Sequence, residues 1–100
     1  MLKKQFKSMY ETAQVLEASN KPGGVTKKLG RGLILFVRIF RGMFQLAIGR
    51  RGVYPSAAEW DTCVKNLPDG IATAQTPDPE FYAPNPGDIN WLRYEFRIRG

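Results

Sequence analysis

Arginine and lysine side chains are the residues of this sequence whose types and spacing point most clearly to chemistry. They form three groups, of which the third lies beside a tryptophan: Lys27, Lys28 and Arg31; Arg38, Arg41, Arg50 and Arg51; Arg93, Arg97 and Arg99 with Trp91. The planar arginine fork suits bidentate contact with phosphate or carboxylate. We therefore expect these cations, with Trp91 as a stacking surface, to bind nucleic acid or another anion.

The charge is distributed unevenly along the chain. Residues 1–54 carry eleven Lys or Arg and two Glu, for a net charge of +9. Residues 55–100 carry four Lys or Arg and seven Asp or Glu, for a net charge of −3. The overall charge of +6 and the pI near 9.8 favour attraction to polyanions. The basic half therefore indicates an anionic partner, either a nucleic acid or an acidic protein surface.

Groups that ordinarily carry catalysis or bind metals are scarce. There is no histidine, which removes the usual general base near neutral pH and the commonest metal ligand. Cys63 is the single cysteine, and its position beside Trp60 and Val64 predicts a small core residue rather than a nucleophile. The glycine-containing basic turns match neither the Walker spacing nor a GxGxxG motif. We expect no enzyme activity, no metal and no other cofactor.

Two helices are predicted from local signals. Over about residues 2–19, apolar side chains recur at helical spacing while lysines fall elsewhere on the wheel. Pro22 and the glycines after it end this helix. A second helix is predicted over about 56–66, because Ser56 and Glu59 have the spacing of a capping box.

The stretch from 26 to 48 allows two interpretations. As one helix it would gather its apolar residues on a broad face, opposite the basic ones. As a hairpin it would form strands 33–40 and 43–49 around a turn at Arg41 and Gly42. Each glycine in this stretch would cost a helix about 1 kcal/mol relative to alanine. The β-branched and aromatic residues suit a sheet, so we favour the hairpin.

The C-terminal part contains two contrasting segments. Residues 67–90 hold five prolines and four acidic residues with no Lys or Arg, so we expect a long loop without regular structure. Phe81 and Tyr82 indicate that part of this loop packs against the core. Residues 91–98 alternate strictly between apolar and polar side chains, which predicts a half-exposed strand.

These elements predict a single small α+β domain spanning 1–100, in which two helices pack on a three-stranded antiparallel sheet. No segment has the roughly twenty apolar residues of a membrane-spanning helix. The start of the chain lacks the apolar stretch of a secretory signal. We therefore expect a soluble, cytoplasmic protein with no membrane partner. An exposed sheet edge would permit a homodimer.

The function expected from these features is non-enzymatic binding of nucleic acid or another polyanion through Arg and Lys. The alternative is a small inhibitor or adaptor, of the kind that phages and mobile elements encode, that docks onto a protein or nucleoprotein. An enzyme, the third alternative, would need lysine, tyrosine or carboxylate groups that only the fold brings together. The position of residues 67–90 separates two outcomes. If they cover Arg38, Arg93 and Arg97, the charge is paired internally; otherwise those arginines form an open site.

Overall fold

A computed structural model describes residues 2–21, 23–77, 81, 83–84 and 87–99. Within these residues the chain forms two α-helices and one five-stranded antiparallel sheet. The elements in chain order are α1 (Leu2–Ala18), β1 (Val25–Lys28), β2 (Ile34–Phe40), β3 (Met43–Arg51), α2 (Ala57–Lys65), β4 (Ile71–Pro77) and β5 (Ile89–Ile98). The strands lie in the order β1-β2-β3-β5-β4 across the sheet.

The hairpin interpretation of residues 26–48 is confirmed. Strands β2 and β3 pair antiparallel, from Ile34 opposite Gly49 to Phe40 opposite Met43. The turn residues Arg41 and Gly42 have φ angles of 53° and 76°. Positive φ at both central positions is typical of the two-residue turns that match the twist of a hairpin. The strand pairing and the conformation of the turn therefore exclude one continuous helix over residues 26–48.

Both predicted helices are present, with ends within one residue of those expected. Helix α1 buries Phe6, Met9 and Ala13 against the sheet. Helix α2 begins at the expected capping box: the Glu59 amide donates to Ser56 Oγ at 3.1 Å, and the Ser56 amide donates to Glu59 Oε1 at 2.9 Å. No helix in the described part of the chain is long and apolar enough to cross a membrane.

The sheet has five strands, which corrects the prediction of three. Strand β1 is four residues long and mostly exposed, so it has no apolar alternation to reveal it. Strand β4 lies in the stretch that we expected to lack regular structure, and its side chains after Ala72 are exposed. It forms by pairing with the long strand β5, with an irregularity between Ile71 and Gln75. Trp60 Nε1 also donates to Gln75 Oε1 at 2.8 Å.

The two faces of the sheet are covered differently. Both helices pack on one face, where the Trp60 ring lies 4.3 Å from that of Tyr94, measured between centroids. The opposite face carries a smaller apolar cluster of Phe36, Ala47, Phe81, Ala83, Ile89 and Trp91. The predicted packing of Phe81 is thus confirmed, whereas Tyr82 lies outside the described residues. Part of the chain after β4 therefore returns over this second face.

Candidate anion-binding site

Five of the predicted cations lie at one end of the sheet, where β1 ends, β2 begins and β3 ends. They are Lys27, Lys28, Arg31, Arg50 and Arg51. A groove of about 540 Å³ at this end is lined by Lys28, Leu29, Gly32, Ile34, Arg50 and Arg51. We call it the basic groove. The antiparallel pairing of β1 with β2 and of β2 with β3 brings these separate segments together.

Arg50 is held in the groove wall by an ion pair with Glu59. Its Nη1 donates to Glu59 Oε1 at 2.9 Å, and its Nη2 donates to Oε2. These bonds, with the Ser56 amide bond, lower the pKa of Glu59 from 4.5 to about 2. Glu59 is therefore ionised at neutral pH and compensates the charge of Arg50. The side chain of Arg50 is only 18 % exposed.

The short turn Gly30–Gly32 is tied to the same ion pair. Arg31 has a φ of 61°, a left-handed conformation that side chains other than glycine rarely adopt. Arg50 Nε donates to the Arg31 carbonyl at 2.9 Å, and the Leu29 amide donates to the Leu33 carbonyl at 2.7 Å. These bonds stabilise the turn against the cost of that conformation. The backbone of this turn is thus linked to helix α2 through Arg50 and Glu59.

The remaining cations of the basic groove, Lys28 and Arg51, are exposed. Neither takes part in the ion pairs Lys3–Asp69 and Arg50–Glu59. Arg51 lies beside the turn that precedes β5, since a methyl group placed on Gly87 would be 3.8 Å from its Cζ. Both side chains are therefore available to an anion from solvent.

Three other predicted arginines share the sheet face opposite the helices. Arg38 lies across from Gln45, which lies across from Glu95; Arg93 and Arg97 flank Glu95 along β5. Arg38 Nε donates to Gln45 Oε1 at 2.8 Å, and Gln45 Nε2 donates to Glu95 Oε1 at 3.1 Å. Gln45 is only 3 % exposed. We call Arg38, Gln45 and Glu95 the cross-strand network.

The β2–β3 turn carries a second exposed cationic region. The guanidinium carbons of Arg38 and Arg41 lie 4.6 Å and 5.0 Å from the centroid of the Phe40 ring. Arg41 and Arg97 are exposed there, as is Arg99, whose amide donates to the Gly70 carbonyl at 2.8 Å. This turn is at the opposite end of β2 from the basic groove. The predicted cations therefore occupy two regions and not one continuous patch.

Trp91 is not the exposed stacking surface that we expected. It is 8 % exposed, and its Nε1 donates to the Pro84 carbonyl at 3.0 Å. Its ring packs over Gly49 and edge-on to Phe36, with ring centroids 6.4 Å apart. Strand alternation does place it on the face opposite the helices, as predicted. Phe81 and Ala83 pack at that end of the face, and no local pattern indicates this.

Glu59, Leu29 and Ile34 are part of the site but were not among the predicted site residues. The capping box already accounted for Glu59, and its approach to Arg50 depends on how α2 packs beside β3. Leu29 and Ile34 lie next to predicted cations, but their chain positions suggested only core residues. The one available signal was the clustering of basic residues on both sides of an apolar segment.

Cys63 has the inert character that the sequence predicted. Its side chain is 1 % exposed, and burial is the main cause that raises the pKa of its thiol to about 11. The thiol is therefore protonated at neutral pH and unsuited to nucleophilic attack. Among the described residues, no three His, Cys, Asp or Glu side chains lie close enough to hold a metal ion.

No family model, curated protein or solved structure matches this chain. The features that bear on function are therefore those of the surface itself. One end of the sheet has a groove with two exposed cations, Lys28 and Arg51. The opposite face has an arginine held in a hydrogen-bonded network, and the aromatic residue expected to stack on bases is buried.

Proposed function

We propose that the protein binds nucleic acid, without catalysing a reaction, through phosphate contacts at the basic groove. The observation that supports this is the convergence of Lys28 and Arg51 at one groove from two separate segments, with Arg31 exposed in the adjoining turn. Phosphate contacts by Lys and Arg release condensed counterions from the nucleic acid. Binding of this kind depends on exposed cations, and all three side chains are exposed.

The β2–β3 turn would extend the contact along a strand of several nucleotides. Arg41 and Arg97 are exposed at this end of the sheet, and the Arg41 guanidinium lies over the Phe40 ring. A flat pair of arginine and aromatic groups is a surface on which bases stack. Since the groove and the turn lie at opposite ends of β2, a bound strand would run along the direction of that strand.

The test is a titration of a labelled single-stranded oligonucleotide at low and at moderate salt. The double variant Lys28→Ala with Arg51→Ala removes two groove cations. Its control, Lys4→Ala with Lys65→Ala, removes two exposed lysines from the helices. We expect the groove variant to bind at least roughly tenfold more weakly and the salt dependence to fall by about two in slope. The control variant should keep most of the affinity.

Equal, negligible binding of every oligonucleotide at low salt would contradict the proposal. So would equal losses in the groove variant and its control, since that would show a response to net charge alone. A stoichiometric protein complex that survives nuclease treatment would instead support the inhibitor or adaptor alternative. In that case the groove would face an acidic protein surface.

The homodimer that an exposed sheet edge would permit would form at β4. This outer strand is seven residues long and carries no charged side chain, whereas β1, at the other edge, carries Lys27 and Lys28. Charges on an edge strand oppose edge-to-edge pairing. We expect a Thr73→Lys variant to remain monomeric at concentrations where the parent chain dimerises, as measured by light scattering. A parent chain that is monomeric throughout would contradict this proposal.

A further inference from the structure

The basic groove has features that contact with backbone phosphates alone does not require. Its volume of about 540 Å³ lies within the range of small-ligand sites. Two half-buried apolar side chains, Leu29 and Ile34, line it together with the cations. A phosphate on a continuing strand would use only the cations. The apolar wall therefore indicates a ligand that enters the groove with a non-polar part.

Arg50 presents a fixed guanidinium to this groove. Three of its N–H groups donate to Glu59 and to the Arg31 carbonyl. A guanidinium has five N–H donors, so two remain for a ligand. Glu59 is itself held by the Ser56 amide at the start of α2. Because these contacts order the side chain in advance, a ligand would not have to order it on binding.

We propose that the basic groove binds the terminal phosphate monoester of a nucleotide. The phosphate would contact Lys28, Arg50 and Arg51, and the sugar or base would pack on Leu29 and Ile34. A monoester carries a charge of about −1.5 to −2 at neutral pH and three terminal oxygens. Lys28, Arg50 and Arg51 together with Glu59 carry a net charge of +2, which a monoester balances more closely than an internal diester does. This inference rests on the proposed function and makes it specific for a strand end.

Oligonucleotides that differ only at their ends test this inference. One set has the same sequence with a 5′-hydroxyl, a 5′-phosphate or a 3′-phosphate. A fourth strand is one nucleotide longer and unphosphorylated, so it gains a backbone charge without a terminal monoester. We expect one phosphorylated end to bind at least about fivefold more tightly than the longer strand. Affinities within about twofold of one another for all four strands would overturn the inference and leave the proposed function standing.

Variants test whether the preference for a phosphorylated end arises in the basic groove. Arg51→Ala should abolish the advantage of the phosphorylated end. Lys65→Ala, an exposed change on α2 away from the groove, should keep it. An advantage that persists in Arg51→Ala would place the phosphate elsewhere and overturn the inference.

A free mononucleotide separates this inference from the proposed function. Bound in the groove, it should shift the backbone amide NMR signals of residues 28–34 and leave those of the β2–β3 turn unchanged. If it does so while no oligonucleotide binds, the nucleic-acid function is wrong and the phosphate site is supported with a free nucleotide as its ligand. If oligonucleotides bind but the mononucleotide shifts no groove signal, the phosphate site is wrong.

Discussion

The basic groove and the cross-strand network use the same residue type for different purposes. In the groove, Lys28 and Arg51 are exposed and take no part in the Arg50–Glu59 ion pair. In the network, Arg38 donates to the buried Gln45, which in turn donates to Glu95. One region offers charge to solvent, and the other joins three neighbouring strands. The number of arginines on a surface therefore does not identify it as a binding surface. The position of the nearest carboxylate distinguishes these two regions.

Strand register produces this difference. Glu95 lies across from Gln45 and between Arg93 and Arg97 on β5, so a carboxylate is built into the arginine-bearing face. At the groove, the bidentate contact of Glu59 goes to Arg50, whose side chain forms part of the groove wall. The uneven charge of the two halves of the sequence does not predict either arrangement, because each depends on residues far apart in the chain.

The largest effect expected is the loss of nucleic-acid binding on reversing the groove charges. The variant Lys28→Glu with Arg51→Glu should bind a single-stranded oligonucleotide about a hundredfold or more weakly at low salt, since it replaces attraction with repulsion. Its unfolding midpoint should change little, because both side chains are exposed. Fluorescence anisotropy and urea denaturation measure the two quantities. If this variant instead lost much stability and kept its affinity, the groove would serve the stability of the fold and not binding.

Gly49 tests the covered end of the arginine-bearing face. A Cβ at this position would lie 2.6 Å from Ile89 Cγ2 and 2.7 Å from Trp91 Cε3, too close without displacement of the tryptophan. We expect Gly49→Ala to lower the free energy of unfolding by about 1–3 kcal/mol. Gly30→Ala is the control, since its Cβ would meet nothing within 4 Å. Equal stability of the two variants in urea would show that Trp91 is not packed on Gly49.

Gln45→Ala should weaken the cross-strand network. It removes the group that accepts from Arg38 and donates to Glu95 at the centre of the sheet. We expect a loss of about 1–2 kcal/mol in unfolding free energy, with little change in oligonucleotide affinity. Gln14→Ala, on the exposed side of α1, is the control and should be nearly neutral. If Gln45→Ala weakens binding as much as the groove variants do, the network belongs to the binding surface.

The smallest effect expected is in the pH dependence of stability. The pKa of Glu59 in the folded state is about 2, below its ordinary value of 4.5, mainly because Arg50 donates to its carboxylate. The folded state therefore binds this proton less readily than the unfolded state. The resulting stabilisation is complete above pH 4.5 and is lost as the pH falls towards 2. Unfolding free energies measured across that range should fall less steeply in Glu59→Gln than in the parent chain.

Local signals in the sequence predicted much of the fold. The capping box defined the start of α2, the Arg41–Gly42 turn fitted a hairpin, and strict alternation predicted most of β5. Strands β1 and β4 had no such signal. Their exposed, mostly polar side chains follow no apolar alternation, and they form strands because a neighbouring strand offers its edge. That information lies in the partner strand and not in the segment itself.

The candidate site was predictable in composition but not in arrangement. Basic residues on both sides of an apolar segment indicated Lys28 and Arg51 correctly as exposed cations. In the alternating pattern of β5, Trp91 falls at a position where an exposed residue is expected. It is buried because Phe81 and Ala83 pack over this face of the sheet. The pairing of Arg50 with Glu59 likewise depends on tertiary packing. The arrangement of the site therefore depends on tertiary contacts between segments that lie far apart in the sequence.

One carboxylate, that of Glu59, serves both the first turn of α2 and the wall of the groove. The two are therefore thermodynamically linked: whatever stabilises Arg50 in its bound position also stabilises the beginning of the helix. A ligand in the groove should accordingly slow hydrogen exchange at the amides near Glu59 and Trp60, which need not touch it. Hydrogen exchange at the start of α2 therefore reports, through the Arg50–Glu59 ion pair, whether a ligand occupies the basic groove.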